Sequence, residues 1–178
     1  MRWVFVILVC LLGSVALAAT PPVLAEPALK RIRASPERFV EAAAVLIHGY
    51  GSDGAVDAAA VDRFIALQRA GARASALRKL LAADLDADGA IAADEVAAAE
   101  AATGRGRLIA LHGRADGDGD GTVSAVELTL HTAIEALAGF TEAEAQAARA
   151  VLACDQDGDG HVTLPEVRAA VAALDKAA

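Results

Sequence analysis

The sequence predicts an all-α chain built from helix–loop–helix repeats, and three observations predict it. A twelve-residue acidic stretch occurs three times: Asp84-x-Asp86-x-Asp88-Gly89 ending in Glu95, Asp116-x-Asp118-x-Asp120-Gly121 ending in Glu127, and Asp155-x-Asp157-x-Asp159-Gly160 ending in Glu166. Apolar residues at helical spacing flank each copy. The eighth residue of each copy is β-branched (Ile91, Val123, Val162), and such stiff side chains suit a half-buried strand. Flexible, solvated acidic loops would not carry that last regularity.

The repeated pattern resembles the calcium loop D-x-D-x-D-G-x5-E of the EF-hand family, and the resemblance covers about residues 36–175. It implies EF-hand helix–loop–helix repeats in two pairs, joined by short loop-to-loop β ladders through the β-branched eighth residues. It also implies three Ca2+ sites. Ca2+ is a hard cation that takes oxygen ligands at about 2.3–2.6 Å in flexible geometry. Carboxylates at positions 1, 3 and 5 converge only if the chain turns tightly, and the Gly at position 6 (Gly89, Gly121, Gly160) supplies the positive φ for that turn. By resemblance the ligands are Asp84, Asp86, Asp88 and Glu95; Asp116, Asp118, Asp120 and Glu127; and Asp155, Asp157, Asp159 and Glu166. Backbone carbonyls come from position 7 (Ala90, Thr122, His161), and position 9 (Ala92, Ser124, Thr163) often acts through water. A dockerin-like module shares the D-x-D-x-D-G run, but it normally lacks the entering helix and the position-12 Glu that this chain has.

In chain order, residues 1–18 are expected to be a cleaved targeting segment. Arg2 precedes the apolar run Trp3 to Leu17, and Ala16-Leu17-Ala18 forms an A-x-A signal, with Ala25 as an alternative cleavage point. The run is short for a bilayer span, so an uncleaved anchor is the second reading. Cys10 does not form a lipoprotein signal, because Val9 precedes it. Residues 19–34 contain Pro21, Pro22 and Pro27 without apolar periodicity and read as a flexible leader. Residues 35–103 are expected to form one pair of hands and residues 104–178 the other. Ser35 and Pro36 look like a helix cap and first turn, followed by Phe39, Val40, Ala43, Leu46 and Ile47 on one face. A Gly-rich turn at residues 49–57 then leads to Val61, Phe64, Ile65 and Leu67.

That turn reads as a fourth, degenerate loop. With Gly54 at position 6, Gly49, Gly51 and Ala60 replace the oxygens of positions 1, 3 and 12, while Asp53 and Val56 keep positions 5 and 8. An ordinary helical hairpin is the plainer reading. Leu77, Leu80 and Leu81 enter the Asp84 loop, and residues 94–103 leave it. Leu108, Ile109 and Leu111 enter the Asp116 loop, and Val126, Leu130, Ile134 and Leu137 leave it. Thr141-x-x-Glu144 is a capping box for a helix running to Cys154, and Val167, Ala170, Val171 and Leu174 close the chain. Twenty residues lie between Glu95 and Asp116, against 27 between Glu127 and Asp155. Pairing of the degenerate hand with the Asp84 loop, and of the Asp116 loop with the Asp155 loop, is the favoured arrangement. The short middle gap leaves an Asp84–Asp116 pair open.

The net charge is −8, and twelve of the 24 acids stand at ligand positions of the three loops. The acidity is thus mostly that of the repeats, and with no basic-aromatic patch it argues against nucleic-acid binding. After cleavage only Cys154 remains, which excludes an internal disulfide; a buried small apolar role is expected for it. His48, His112, His131 and His161 lack zinc spacing. Arg69, Arg73, Arg78 and Lys79 read as a solvated helix face, or alternatively as a docking patch. No nucleophile–base arrangement suggests an enzyme. The expected role is that of a periplasmic or secreted calcium buffer or calcium-stabilised scaffold, with no membrane contact after cleavage. A calcium sensor with one dedicated protein partner is the alternative. A promiscuous Met-rich groove is not expected, since the only Met is Met1.

Overall fold

The computed structural model describes residues 26–104 and 106–176. The targeting segment and both cleavage points lie outside the described residues. Eight α-helices and four two-residue strands are present among the described residues. None of these helices is long and apolar enough to cross a membrane.

Helix α1 (Glu26–Ala34) corrects the reading of residues 19–34 as a flexible leader, over the part that is described. Pro27 falls in its first turn, where a missing N–H is not missed, and Ile32 is buried. The helix packs on α2 (Pro36–Tyr50), α7 (Glu142–Arg149) and α8 (Leu164–Lys176). Because α1 runs up to Ala34, Ser35 does not cap α2 as expected; its hydroxyl donates to the Ala34 carbonyl at 2.7 Å.

The degenerate loop is tighter than a twelve-residue loop. Helix α2 continues through Gly49 and Tyr50, and the chain turns back over Ser52 to Ala55, which exchange backbone hydrogen bonds at 3.0 and 2.9 Å. Asp53 and Gly54 both have positive φ, 53° and 79°, the signature of a two-residue hairpin turn. Gly51 admits no side chain, since a Cβ there would stand 2.1 Å from the Ala55 carbonyl oxygen. Strand β1 (Ala55–Val56) follows, and Asp57 caps α3 by accepting from the Ala60 N–H at 2.7 Å.

Helix α3 (Ala58–Leu81) is one unbroken helix of 24 residues, where the sequence suggested two. It is about 36 Å long and holds the degenerate loop at its start and the Asp84 loop at its end. That length overturns the favoured pairing of these two loops. Instead β1 pairs antiparallel with β4 (Val162–Thr163), placing Val56 opposite Val162. Strand β2 (Ile91–Ala92) pairs with β3 (Thr122–Val123), placing Ile91 opposite Val123. The Asp84–Asp116 alternative is therefore the one adopted, and the expected halves 35–103 and 104–178 do not follow the ladders. The short connection suffices because α4 (Ala93–Thr103) and α5 (Arg107–Ala115) fold back on each other. Buried Glu100 accepts the N–H groups of Gly106 and Leu108 there.

Helix α6 (Ala125–Gly139) returns along α3 in the most extensive helix pairing of the described residues. The contact is close: a Cβ on Gly139 would lie 2.6 Å from that of Ala72. Arg69 extends the seam by donating to the Phe140 carbonyl and to Glu142 of α7, at 3.4 and 2.9 Å, so it is not part of a free basic face. After α7 a 3-10 segment (Ala150–Cys154) leads into the Asp155 loop, where an α-helix to Cys154 was expected. One apolar core gathers Ile47, Val56, Val61, Ile65, Val151, Cys154, Val162 and Val167 around β1 and β4. The other gathers Leu80, Ile91, Val96, Val123 and Leu128 around β2 and β3. Several apolar residues of the periodic runs are exposed: Leu67, Leu81, Ile109, and the set Val126, Leu130, Ile134 and Leu137 of α6.

Candidate metal centres

Each acidic loop folds because its own carboxylates collect its backbone N–H groups. In the Asp116 loop, Asp116 accepts from Gly119 at 2.8 Å and from Gly121 at 3.0 Å. Asp118 accepts from Asp120, and Asp120 from Thr122. Glu127 reaches back from the first turn of α6: Oε1 accepts from Gly117 and Asp118, Oε2 from the Ser124 N–H and hydroxyl. The Asp155 loop repeats the scheme. Asp155 accepts from Gly158 and Gly160, Asp157 from Asp159, and Asp159 from His161. Glu166 accepts from Gln156 and from the N–H and hydroxyl of Thr163. In the Asp84 loop Glu95 accepts from Leu85, Asp86 and Ala92, Asp86 from Asp88, and Asp88 from Ala90.

These bonds bring positions 1, 3 and 12 together. Asp84, Asp86 and Glu95 offer oxygens all within 4.8 Å of one another, as do Asp116, Asp118 and Glu127, and Asp155, Asp157 and Glu166. Opposite oxygens around one Ca2+ ion lie about 5 Å apart, so each cluster has the span of a single coordination shell. The position-5 residues Asp88, Asp120 and Asp159 stand outside these groups, turned toward the position-7 N–H groups. Position 7 (Ala90, Thr122, His161) is thereby held against position 5, beside the cluster. The degenerate loop contributes no such group among the described residues.

The hydrogen bonds leave their mark on the acidities. The Ser124 N–H and hydroxyl and the Gly117 N–H hold the Glu127 carboxyl down at about 2. The Ala92 and Leu85 N–H groups lower Glu95 in the same way. At Glu166 partial burial pushes upward, but Thr163 and Gln156 together outweigh it and the carboxyl is lowered. All three position-12 groups are thus stabilised as carboxylates, the form that ligates a cation.

The donor set, oxygen only and largely anionic, fits a hard cation. The Asp84 loop adds a more specific sign. Asp84 Oδ1 is buried and has no hydrogen-bond partner, although the same oxygen in the other two loops accepts the position-4 N–H. Position 4 is Gly119 and Gly158 in those loops, at φ 76°, but Ala87 here, at φ 61°. A buried carboxylate oxygen without a donor is unfavourable, and a cation in the cluster would satisfy it.

Position 4 and the donors of positions 2 and 9 are what sequence reasoning missed. The Gly at position 4 of two loops was the visible signal for the first. No protein-family model, curated protein or solved structure matches the chain.

The remaining candidates sort by burial. Cys154 lies in the core, and burial, with the nearby Glu166 charge, pushes its thiol up to about 11. His48 and His161 are exposed, whereas His112 and His131 are buried. His112 Nε2 lies 2.9 Å from the Ile91 carbonyl, tying the helix that enters one loop to the ladder strand of the other. Near the opposite ladder an open cavity of about 530 Å3 is lined by Phe39, Val45, Leu46, Phe64, Phe140 and Val151, among others, with Arg38 and Glu144 also in its wall.

Proposed function

We propose that this chain binds Ca2+ at three EF-hand-type loops and serves outside the cytoplasm as a calcium buffer or calcium-stabilised scaffold, without enzymatic activity. The observation that carries the reading is the threefold repetition of one carboxylate cluster, each with the span of one ion's shell. The unpartnered Asp84 oxygen supports it independently. The N-terminal residues, with their A-x-A signal, support export.

Binding and stability are coupled through the crowding of acids. Without an ion, the carboxylates of each loop repel one another. An ion held with a Kd 100-fold below its ambient concentration stabilises the fold by about 2.7 kcal/mol. Three such sites would contribute roughly 8 kcal/mol, comparable with the stability of a whole domain. A core of Val, Ile, Leu and Ala, with aromatic rings only at its edge, gains from this.

The second reading, a sensor with a dedicated protein partner, is favoured by the open apolar cavity between α2 and α7. Calcium calorimetry with circular dichroism on residues 19–178 separates the two. Three sites with a large gain in helix support the scaffold, and three sites with little gain but new binding of an apolar dye support the sensor. Fewer than three sites in the parent chain, or no change in stoichiometry on Glu127→Gln, would refute the site assignment.

A further inference from the structure

Helix α6 carries four of its five large apolar side chains on its solvent side. The side turned to the protein holds Leu128, His131, Thr132 and Ala136. The His131 Nε2 is buried there without a hydrogen-bond partner, with Glu135 Oε1 4.0 Å away. The solvent side holds Val126, Leu130, Ile134 and Leu137, exposed by 78, 63, 59 and 57%. At about 100° per residue, these four fall within roughly 80° of the helix circumference. The only charged residues of the helix, Glu127 and Glu135, lie outside that arc. Together the four present on the order of 400 Å2 of contiguous apolar surface, the size of the largest patch on a typical monomer, and such patches are often functional.

We propose that α6 is a dimer interface, packed antiparallel against α6 of a second copy of this chain. Charge is compatible with that occupant. The chain is acidic overall, and the stripe carries no charge, so two copies meet on it without setting one acid against another. It also offers no charge to a nucleic acid, a lipid headgroup or an oppositely charged protein. The spacing selects it. About a twofold axis that crosses the stripe at the level of residues 131 and 132, Val126 lies opposite Leu137 of the second copy and Leu130 lies opposite Ile134. Each large side chain thus meets another, which is the self-complementarity that an isologous contact requires. The area sets the strength: on the order of 800 Å2 of apolar surface from both copies, plus the flanks, approaches the low end of specific interfaces, about 1,200 Å2. That is a weak, reversible dimer. It does not depend on the metal reading.

The test is sedimentation velocity on the chain as isolated from expressing cells, from micromolar to near-millimolar concentration, with calcium and with chelator. The parent should shift reversibly from monomer to dimer. Leu130→Asp should weaken that dimer at least tenfold without lowering the melting temperature of the monomer, because Leu130 is already exposed. Leu67→Asp, at an exposed apolar position on α3, should leave association unchanged. Adding Ile134→Lys to Leu130→Asp sets an acid opposite a base across the twofold axis and should restore dimerisation. A parent that stays monomeric throughout would overturn the proposal, as would a dimer indifferent to Leu130→Asp or equally sensitive to Leu67→Asp. A double variant no tighter than the single one would overturn the antiparallel register. A monomer strongly destabilised by Leu130→Asp would mean that the chain covers the stripe itself, which also overturns it.

Discussion

Replacing Ala87 with Gly should strengthen the Asp84 loop, although Gly usually weakens a folded chain. Ala87 sits at φ 61°, in the left-handed region, where its counterparts are Gly119 and Gly158. A residue with a Cβ pays about 1–2 kcal/mol there. The added freedom of Gly in the unfolded chain takes back about 0.4–1 kcal/mol. The balance is about 0.5–1 kcal/mol in favour of Gly, or about two- to fivefold in calcium affinity if the ion orders the loop. Gly119→Ala is the mirror experiment. A Cβ on Gly119 would meet nothing within 4 Å, so backbone conformation alone sets its effect, with the same size and opposite sign. Thermal unfolding in excess calcium, alongside chelator-competition titration, measures both. A lower melting temperature for Ala87→Gly, or a neutral Gly119→Ala, would refute the reasoning.

Three further outcomes are expected. In the metal-free protein the Glu127 carboxyl should titrate near 2, below its ordinary value of 4.5. Its contribution to stability is complete above that ordinary value and disappears as the pH falls through 4.5 toward 2; carboxyl carbon shifts followed by NMR report it, and a midpoint near 4.5 would contradict it. His112→Ala should destabilise the fold by about 1–3 kcal/mol, through lost packing and the lost bond to Ile91. If these loops take up calcium as proposed, it should also reduce cooperativity between the Asp84 and Asp116 loops, and an unchanged binding curve would show that the bond does not couple them. Cys154 should resist thiol reagents at neutral pH in the native protein and react on unfolding, since its thiol is buried and raised to about 11. Fast labelling of the native chain would count against the core placement.

What the sequence shows well is local chemistry. The three loops, the Thr141–Glu144 capping box and the strand positions Val56, Ile91, Val123 and Val162 were all legible. Each depends on spacing within about a dozen residues. What it hid is set by contacts between distant segments. Nothing in residues 66–76 announces whether two helices or one pass through Gly71, and that single choice decides which loops meet. Periodicity marked Val126, Leu130, Ile134 and Leu137 as one face of a helix, but not whether that face turns inward. Helix α1 was hidden for a related reason: Pro27 is a breaker in mid-helix, yet harmless in its first turn.

The ladders are nested like brackets, the second loop closing on the third and the first on the last. The inner bracket needs only a short stretch of chain, whereas the outer one joins segments from near both ends. Low contact order favours early formation, so the inner unit should assemble while later residues are still being made. The outer unit must wait for α8. A chain shortened at its C-terminus would then keep the clusters around Asp84 and Asp116 but lose the partner of Val56. A stalled or clipped molecule would therefore keep two assembled carboxylate clusters while its other end stayed open. In such fragments, assembly of the acidic loops and completion of the fold are separable events.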